Sequence, residues 1–264
     1  MQFKKILLFF LVALPLSVAL RIFQIMFVVE AETGFFAQEF EGYGNAMTAV
    51  IFAFSVAMAV FAYLSHREPK EAAKPNIVMS IGAVMFSFSV LYELAAETFP
   101  PVVRPWQVTL LNISGLVTAA YFILFAMKRF VNLPLPEGFA IIPTIYLVLR
   151  VICDFTAISS LALISDNLLL MAVYSVSLLF MLNFAKFYNN AGGKNISHNL
   201  LASGLTAVVL CATQSIPHIF VNLVLDHKYN HTSMAANVTV FCMGAFIAAF
   251  TFSNYLRANT VRKG

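Results

Sequence analysis

Eight long apolar runs dominate this chain, and their length decides the medium in which it can fold. They are Ile6 to Val29, Ala46 to Leu64, Ile77 to Ala96, Val108 to Met127, Phe139 to Ile164, Leu168 to Phe187, Leu200 to Leu225, and Met234 to Leu256. A helix of about 20 predominantly apolar residues crosses the bilayer hydrocarbon, and each run is close to that length. Of 264 residues, 61% are hydrophobic and 11% charged, whereas soluble domains carry about 25% charged residues. One soluble core cannot hide this much apolar surface. Lipid offers the backbone no hydrogen-bond partners, so a spanning segment must satisfy its own, as a helix does. The expected fold is an all-α polytopic transmembrane bundle with about eight spans, forming a single integral membrane domain over residues 1–264.

The separators hold turn and breaker residues: Gly42 and Gly44, Pro69 and Pro75, Pro100, Pro101 and Pro105, Pro134 and Pro136, Gly192 and Gly193. The shortest is Ser165-Asp166-Asn167, which reads as a tight hairpin turn between the fifth and sixth helices. At the amino terminus, Lys4 and Lys5 ahead of ILLFFLVALPLSVAL resemble the start of a signal peptide. The apolar stretch runs on to Val29 and no small-x-small site precedes Arg21, so an uncleaved first span is expected.

Threading eight spans from a cytoplasmic start places Lys4, Lys5, Arg67, Lys70, Lys74, Lys128, Arg129, Lys186, Lys194, Arg257, Arg262 and Lys263 on one side, with Arg104 and Lys228 opposite. Basic loops resist translocation, so this imbalance predicts that both termini are cytoplasmic, in the plasma membrane. Leu20-Arg21-Ile22 in the first run is echoed by Leu149-Arg150-Val151 in the fifth, each after a proline, Pro15 or Pro143. Four helices separate the copies, the spacing of parallel repeats with halves 1–131 and 132–264.

Ionisable side chains inside the runs are the strongest functional signal, since each costs about 2.5–3.5 kcal/mol at the bilayer centre on insertion scales unless paired or wetted. Four stand out: Arg21, Glu93, Arg150 and Asp154. Arg150 and Asp154, spaced i, i+4, share a helix face, while Arg21 and Glu93 lie toward the outer ends of their helices and are expected to meet across the bundle. One reading makes these ion pairs that pin helix packing, with Gln24 and Tyr92 as hydrogen-bond partners. The other makes them a polar cavity in which an arginine binds an anionic group and Asp154 or Glu93 binds a cation or exchanges a proton.

Gln214, His218 and Asn222 recur at i, i+4 and i+8 on the seventh run, a polar stripe beside Pro217. Such a stripe either hydrogen-bonds neighbouring helices or serves a path in which His218 titrates, because an imidazole's ordinary pKa of about 6.5 suits proton exchange near neutrality. Asp226, His227 and His231 form a weak divalent-metal set, for they lack an H-E-x-x-H pattern or a cysteine partner. His66 and His198 read as surface residues. The first external loop, EAETGFFAQEFEGYG, reads as an interfacial hairpin, or as a cap that concentrates cations.

Several classes drop out. G-x-S-x-G, the phosphate-binding G-x-x-x-x-G-K-[ST] and the dinucleotide G-x-G-x-x-G are absent, and basic residues form no aromatic-interleaved cluster for nucleic acid. Cys153, Cys211 and Cys242 lie inside apolar runs without C-x-x-C spacing, indicating neither disulfide nor zinc. No cofactor and no catalytic residue is indicated. The leading expectation is a small-solute or ion transporter, or its membrane subunit, with its site among Arg21, Glu93, Arg150, Asp154, Gln214, His218 and Asn222. Its partners would be the lipid bilayer, a small-molecule or ion substrate, and an unidentified partner subunit. The alternatives are a membrane-embedded sensor or scaffold acting on a cytoplasmic partner and an intramembrane lipid-modifying enzyme.

Overall fold

In the computed structural model, residues 3–30, 33–64, 75–96, 103–131, 136–158, 165–189, 191, 193, 195–224 and 233–257 are described. They form α1 (Phe3–Phe27), α2 (Glu41–Tyr63), α3 (Ile77–Ala96), α4 (Pro105–Met127), α5 (Ile142–Ile158), α6 (Ser165–Tyr188), α7 (Ile196–Val224) and α8 (Met234–Arg257), with short 3-10 turns at Gln38–Phe40 and Glu137–Ile141. All eight helical segments are long and apolar enough to cross a membrane. Their outward faces carry large apolar side chains, among them Leu8, Leu11 and Phe23 on α1, Ile81 and Phe88 on α3, and Ile145 and Phe155 on α5. Water would disfavour this surface and lipid would not. The chain is an all-α, multi-pass membrane protein.

Breakers mark the helix starts as their chemistry requires. Pro105 opens α4, where its missing N–H costs nothing, and the Gln107 side chain accepts from the Arg104 backbone N–H at 3.0 Å. Before α3, Asn76 Oδ1 accepts the Met79 N–H at 2.8 Å, while its Nδ2 donates to Ser253 Oγ of α8 at 2.7 Å. The same side chain therefore caps one helix and ties it to another.

One boundary departs from expectation. Ser165, Asp166 and Asn167 do not form a hairpin turn; they make the first turn of α6. The fifth helix begins after a 3-10 turn and spans Ile142–Ile158, while residues 159–164 of its apolar run lie outside the described residues. Serine, aspartate and asparagine suit a turn and a helix N-terminus for the same reason, since their oxygens accept from backbone N–H groups lacking a helical partner.

The most buried helices are α7 and α8, and the least are α1 and α2. α7 packs on α1, α2, α6 and α8; α3 lies against α4 and α8; α5 lies against α4 and α6. Gly82 of α3 allows a close approach, for a Cβ there would come within 3.1 Å of the Phe246 backbone on α8. Cross-helix contacts show that consecutive helices alternate in direction. The start of α3 meets the end of α8 through Asn76 and Ser253, and the start of α7 meets the end of α8 through the Tyr255 hydroxyl and the Ser197 carbonyl. We call the end where α1 begins the near end and the end where it finishes the far end. Toward the near end the interior is aromatic: Phe122, Phe125, Phe184 and Phe250 surround Phe246 with ring centroids 4.8–6.3 Å away. Toward the far end it is charged.

Candidate functional site

Arg21 lies in the last two turns of α1 and is buried. Its guanidinium pairs with Asp166 and donates to the Gln24 side-chain carbonyl one turn farther along. Gln24 in turn donates from Nε2 to the Gly44 carbonyl and to Thr48 Oγ1, both at 2.8 Å, which ties α1 to α2. Asp166 stands in the first turn of α6, where unpaired N–H groups favour a carboxylate. His218 of α7 brings Nε2 to 3.4 Å from the same Asp166 oxygen that holds Arg21. Four helices thus converge on one carboxylate and one guanidinium.

The second cluster is built on α5. Tyr146, Arg150 and Asp154 follow at i, i+4 and i+8 and share one face. Arg150 Nε donates to Asp154 Oδ2 at 2.8 Å, and its Nη1 lies 2.9 Å from Glu93 Oε1 on α3. The Tyr146 hydroxyl donates to Glu93 Oε2 at 3.4 Å. The Arg150 guanidinium also sits 5.3 Å from the ring centroid of Tyr174 on α6, within cation–π range. Because Asp166 and Tyr174 lie two turns apart on α6, that helix serves both clusters.

Among the described residues, the buried acidic, basic and histidine side chains are Arg21, Arg150, Glu93, Asp154, Asp166 and His218. Two guanidiniums, three carboxylates and an imidazole thus lie largely out of contact with solvent, and buried charges are costly unless they are paired and hydrogen-bonded.

An apolar lid covers the far side of the first cluster. Past α1 the chain folds back on itself, with Val29 and Phe36 paired across an antiparallel bridge and Gly34 at φ 74° in the turn. Phe36 packs with Ile25 and Val221, which lie one turn beyond Arg21 and His218, and with Val29 just past the end of α1. Its ring rests on Gly44, where a Cβ would come within 2.6 Å of it. The loop expected to lie along the interface or cap the bundle thus sends one aromatic side chain inward.

The sequence-derived candidates fall as follows. Glu93, Arg150 and Asp154 meet in one cluster, and Arg21 and His218 in the other. Arg21 was expected to meet Glu93, but its guanidinium pairs with Asp166, while Glu93 pairs with Arg150. Gln24 serves as a partner as expected; Tyr92 is exposed, and the tyrosine on Glu93 is Tyr146. Gln214 is fully buried one turn from His218, and Asn222 is half-buried. The weak metal candidates Asp226, His227 and His231 lie outside the described residues, and so does His66. Among the described residues no group of three His, Cys, Asp or Glu could hold a metal ion. All three cysteines are free and buried. His198 is half-buried near the Tyr63 ring at 6.0 Å rather than fully on the surface.

Asp166 is the residue that sequence reasoning missed. Its signal was present, an acid beside an apolar run, but its neighbours Ser165 and Asn167 made it look like part of a loop. Away from the charges, a polar cleft of about 430 Å³ at the near end, between α6 and α7, is lined by Asn183, Lys186, Asn195 and Asn199. In comparisons with known protein families, curated proteins and solved structures, the chain matches none.

Proposed function

We propose that the chain is a small-solute or ion transporter, or its membrane subunit, driven by a proton or cation that enters the far-end charge network. The observation that carries this reading is the gathering of two arginines, three carboxylates and a histidine in the interior of an apolar helical bundle, since ionisable groups among spanning helices ordinarily mark ion or substrate pathways. Asp154 and Glu93 are the proton or cation ligands, and Arg21 and Arg150 are the groups that bind a substrate anion or carboxylate. Gln214, His218 and Asn222, the polar stripe of α7, serve as hydrogen-bonding groups of the same site. The apolar contact of Phe36 with Ile25, Val29 and Val221 supports closure of the site at the far end.

The basic-residue imbalance supports an orientation in which the near end and both termini are cytoplasmic and the membrane is the plasma membrane. Parallel halves 1–131 and 132–264 are part of the same proposal. Arg21 and Arg150, the echoed residues, each bind a carboxylate from another helix, and this resemblance supports a duplication.

The test is reconstitution into liposomes enclosing a pH-sensitive dye while solutes are screened. A transported solute should change the internal pH, and Arg150→Met or Asp154→Asn should abolish that change at equal protein abundance. Equal transport by both variants contradicts the site. A second reading, a sensor or scaffold acting on a cytoplasmic partner, is favoured by one observation: every charged member of the network is less than a tenth exposed and already ion-paired. In that case no solute moves, and the polar cleft at the near end is the surface for the partner.

A further inference from the structure

One turn inward from the first cluster lies a set of polar atoms that pairing among the described residues does not explain. Gln214 is fully buried, and neither its amide nitrogen nor its amide oxygen has a hydrogen-bond partner among them. Ser17, also fully buried, has no partner for its Oγ among the described residues. The two residues are related by geometry. α1 and α7 run parallel and pack together, and Arg21 and His218 meet at one Asp166 oxygen. Stepping back four residues on each helix, from 21 to 17 and from 218 to 214, moves one turn toward the near end on the same face. Ser17 and Gln214 therefore share a level directly beneath the cluster. Pro217 adds a third group there, because it has no N–H to give the Thr213 carbonyl.

A buried amide without partners is costly, and native proteins satisfy such groups with ordered water that makes about three hydrogen bonds. We propose that Ser17, Gln214 and the Thr213 carbonyl hold buried water, and that this water exchanges protons with the His218 ring. Gln214 offers a donor and an acceptor, Ser17 a hydroxyl that can be either, and Thr213 an acceptor, which is the partner set a water needs. In the transfer step a hydronium ion at this site gives its proton to the imidazole and becomes water; the ring goes from neutral to +1, and the reverse step restores both. The charged groups around the ring are Arg21 from α1 and Asp166 from α6. Among their described residues, α2 and α8 contribute no buried charged side chain. Phe36 packs with Ile25 and Val221 beyond the cluster, so the water site lies on the opposite side of His218 from that apolar contact.

This inference rests on the far-end network being the functional site, but not on solute movement, and its test does not measure transport. The protein, labelled with ¹⁵N only in histidine, is placed in lipid nanodiscs, and His218→Asn identifies the ring signal. In the wild type that ring should exchange its hydrogen with deuterated water. In Ser17→Ala/Gln214→Leu, the exchange should slow by about tenfold or more, because the water has lost two of its partners, with the other histidine signals unmoved. Should the double variant fail to fold, Gln214→Met alone is read against the same expectation. A wild-type ring that does not exchange overturns the proposal. So does exchange at the wild-type rate in a folded variant. Failure of the liposome assay with slowed exchange in the variant would sink the transport reading and leave the water site standing.

Discussion

Arg21 and Arg150 occupy echoed positions in the sequence, yet they sit in different chemical company. Arg21 meets the Asp166 carboxylate and the Gln24 amide, and His218 approaches the same Asp166 oxygen. Arg150 meets the carboxylates of Glu93 and Asp154 and the face of the Tyr174 ring, while the Tyr146 hydroxyl donates to Glu93. The first cluster sets an imidazole beside its carboxylate; the second sets two carboxylates around one guanidinium. The same residue type therefore serves two ends, and the difference lies in what the neighbouring helices bring to it.

Substitutions can break this comparison, and the largest effect is expected at Arg150. Arg150→Met leaves Glu93 and Asp154 buried with no guanidinium between them, and losing one partner of a buried pair costs about 3–5 kcal/mol. Thermal unfolding in detergent should show a large loss, and adding Glu93→Gln and Asp154→Asn should recover most of it. Arg21→Met should cost less, about 2–3 kcal/mol, because Asp166 keeps a second neighbour in His218, whose Nε2 lies 3.4 Å from it. A deficit as large as that of Arg150→Met would remove His218 from the first cluster.

The lid should respond more modestly. Gly44→Val drives a side chain into the Phe36 ring, an overpacking that costs about 1–3 kcal/mol. The sharper readout is access. With Val221→Cys as the reporter, Phe36→Ala or Gly44→Val should speed modification by a membrane-impermeant thiol reagent added from the far side, against a low background from three buried native cysteines. Unchanged labelling would mean that Phe36 seals nothing. The smallest effect is expected for Asp154→Asn, which keeps the Arg150–Glu93 pair. Its change in stability should stay within about 1 kcal/mol, whereas Asp166→Asn, which takes one carboxylate from Arg21 and His218 together, should cost several-fold more.

Much of this was legible in the sequence, and the parts that were not share a physical reason. Run length and hydropathy marked the eight helices, because the bilayer imposes one length on every span. Cost in lipid singled out Arg21, Glu93, Arg150 and Asp154, and i, i+4 spacing joined Arg150 to Asp154 without reference to any other helix. Which helix faces which is another matter. Depth along a span can be counted from its ends, but rotation and neighbourhood cannot, so Arg21 was matched to a carboxylate at about the right depth on the wrong helix. Tyr92 and Tyr146 are equally good hydrogen-bond donors on paper, and only the rotation of α3 puts Tyr92 on the outer surface. Asp166 was hidden because a helix start and a hairpin are written in the same residues. Phe36 had no signal of its own, since an aromatic in a loop between spans ordinarily rests at the headgroups.

The proposed proton site beside Arg150 can be observed directly. Infrared spectroscopy of the protein in an ester-free detergent reports the carbonyl stretch of any carboxylic acid that holds a proton. The expected wild-type spectra change with pH by a buried-acid band, slow to shift in deuterated buffer, that is lost in Asp154→Asn or in Glu93→Gln. Wild-type spectra whose pH-dependent band survives both substitutions unaltered, in a protein that remains folded, would contradict the assignment of these carboxylates as the coupling site.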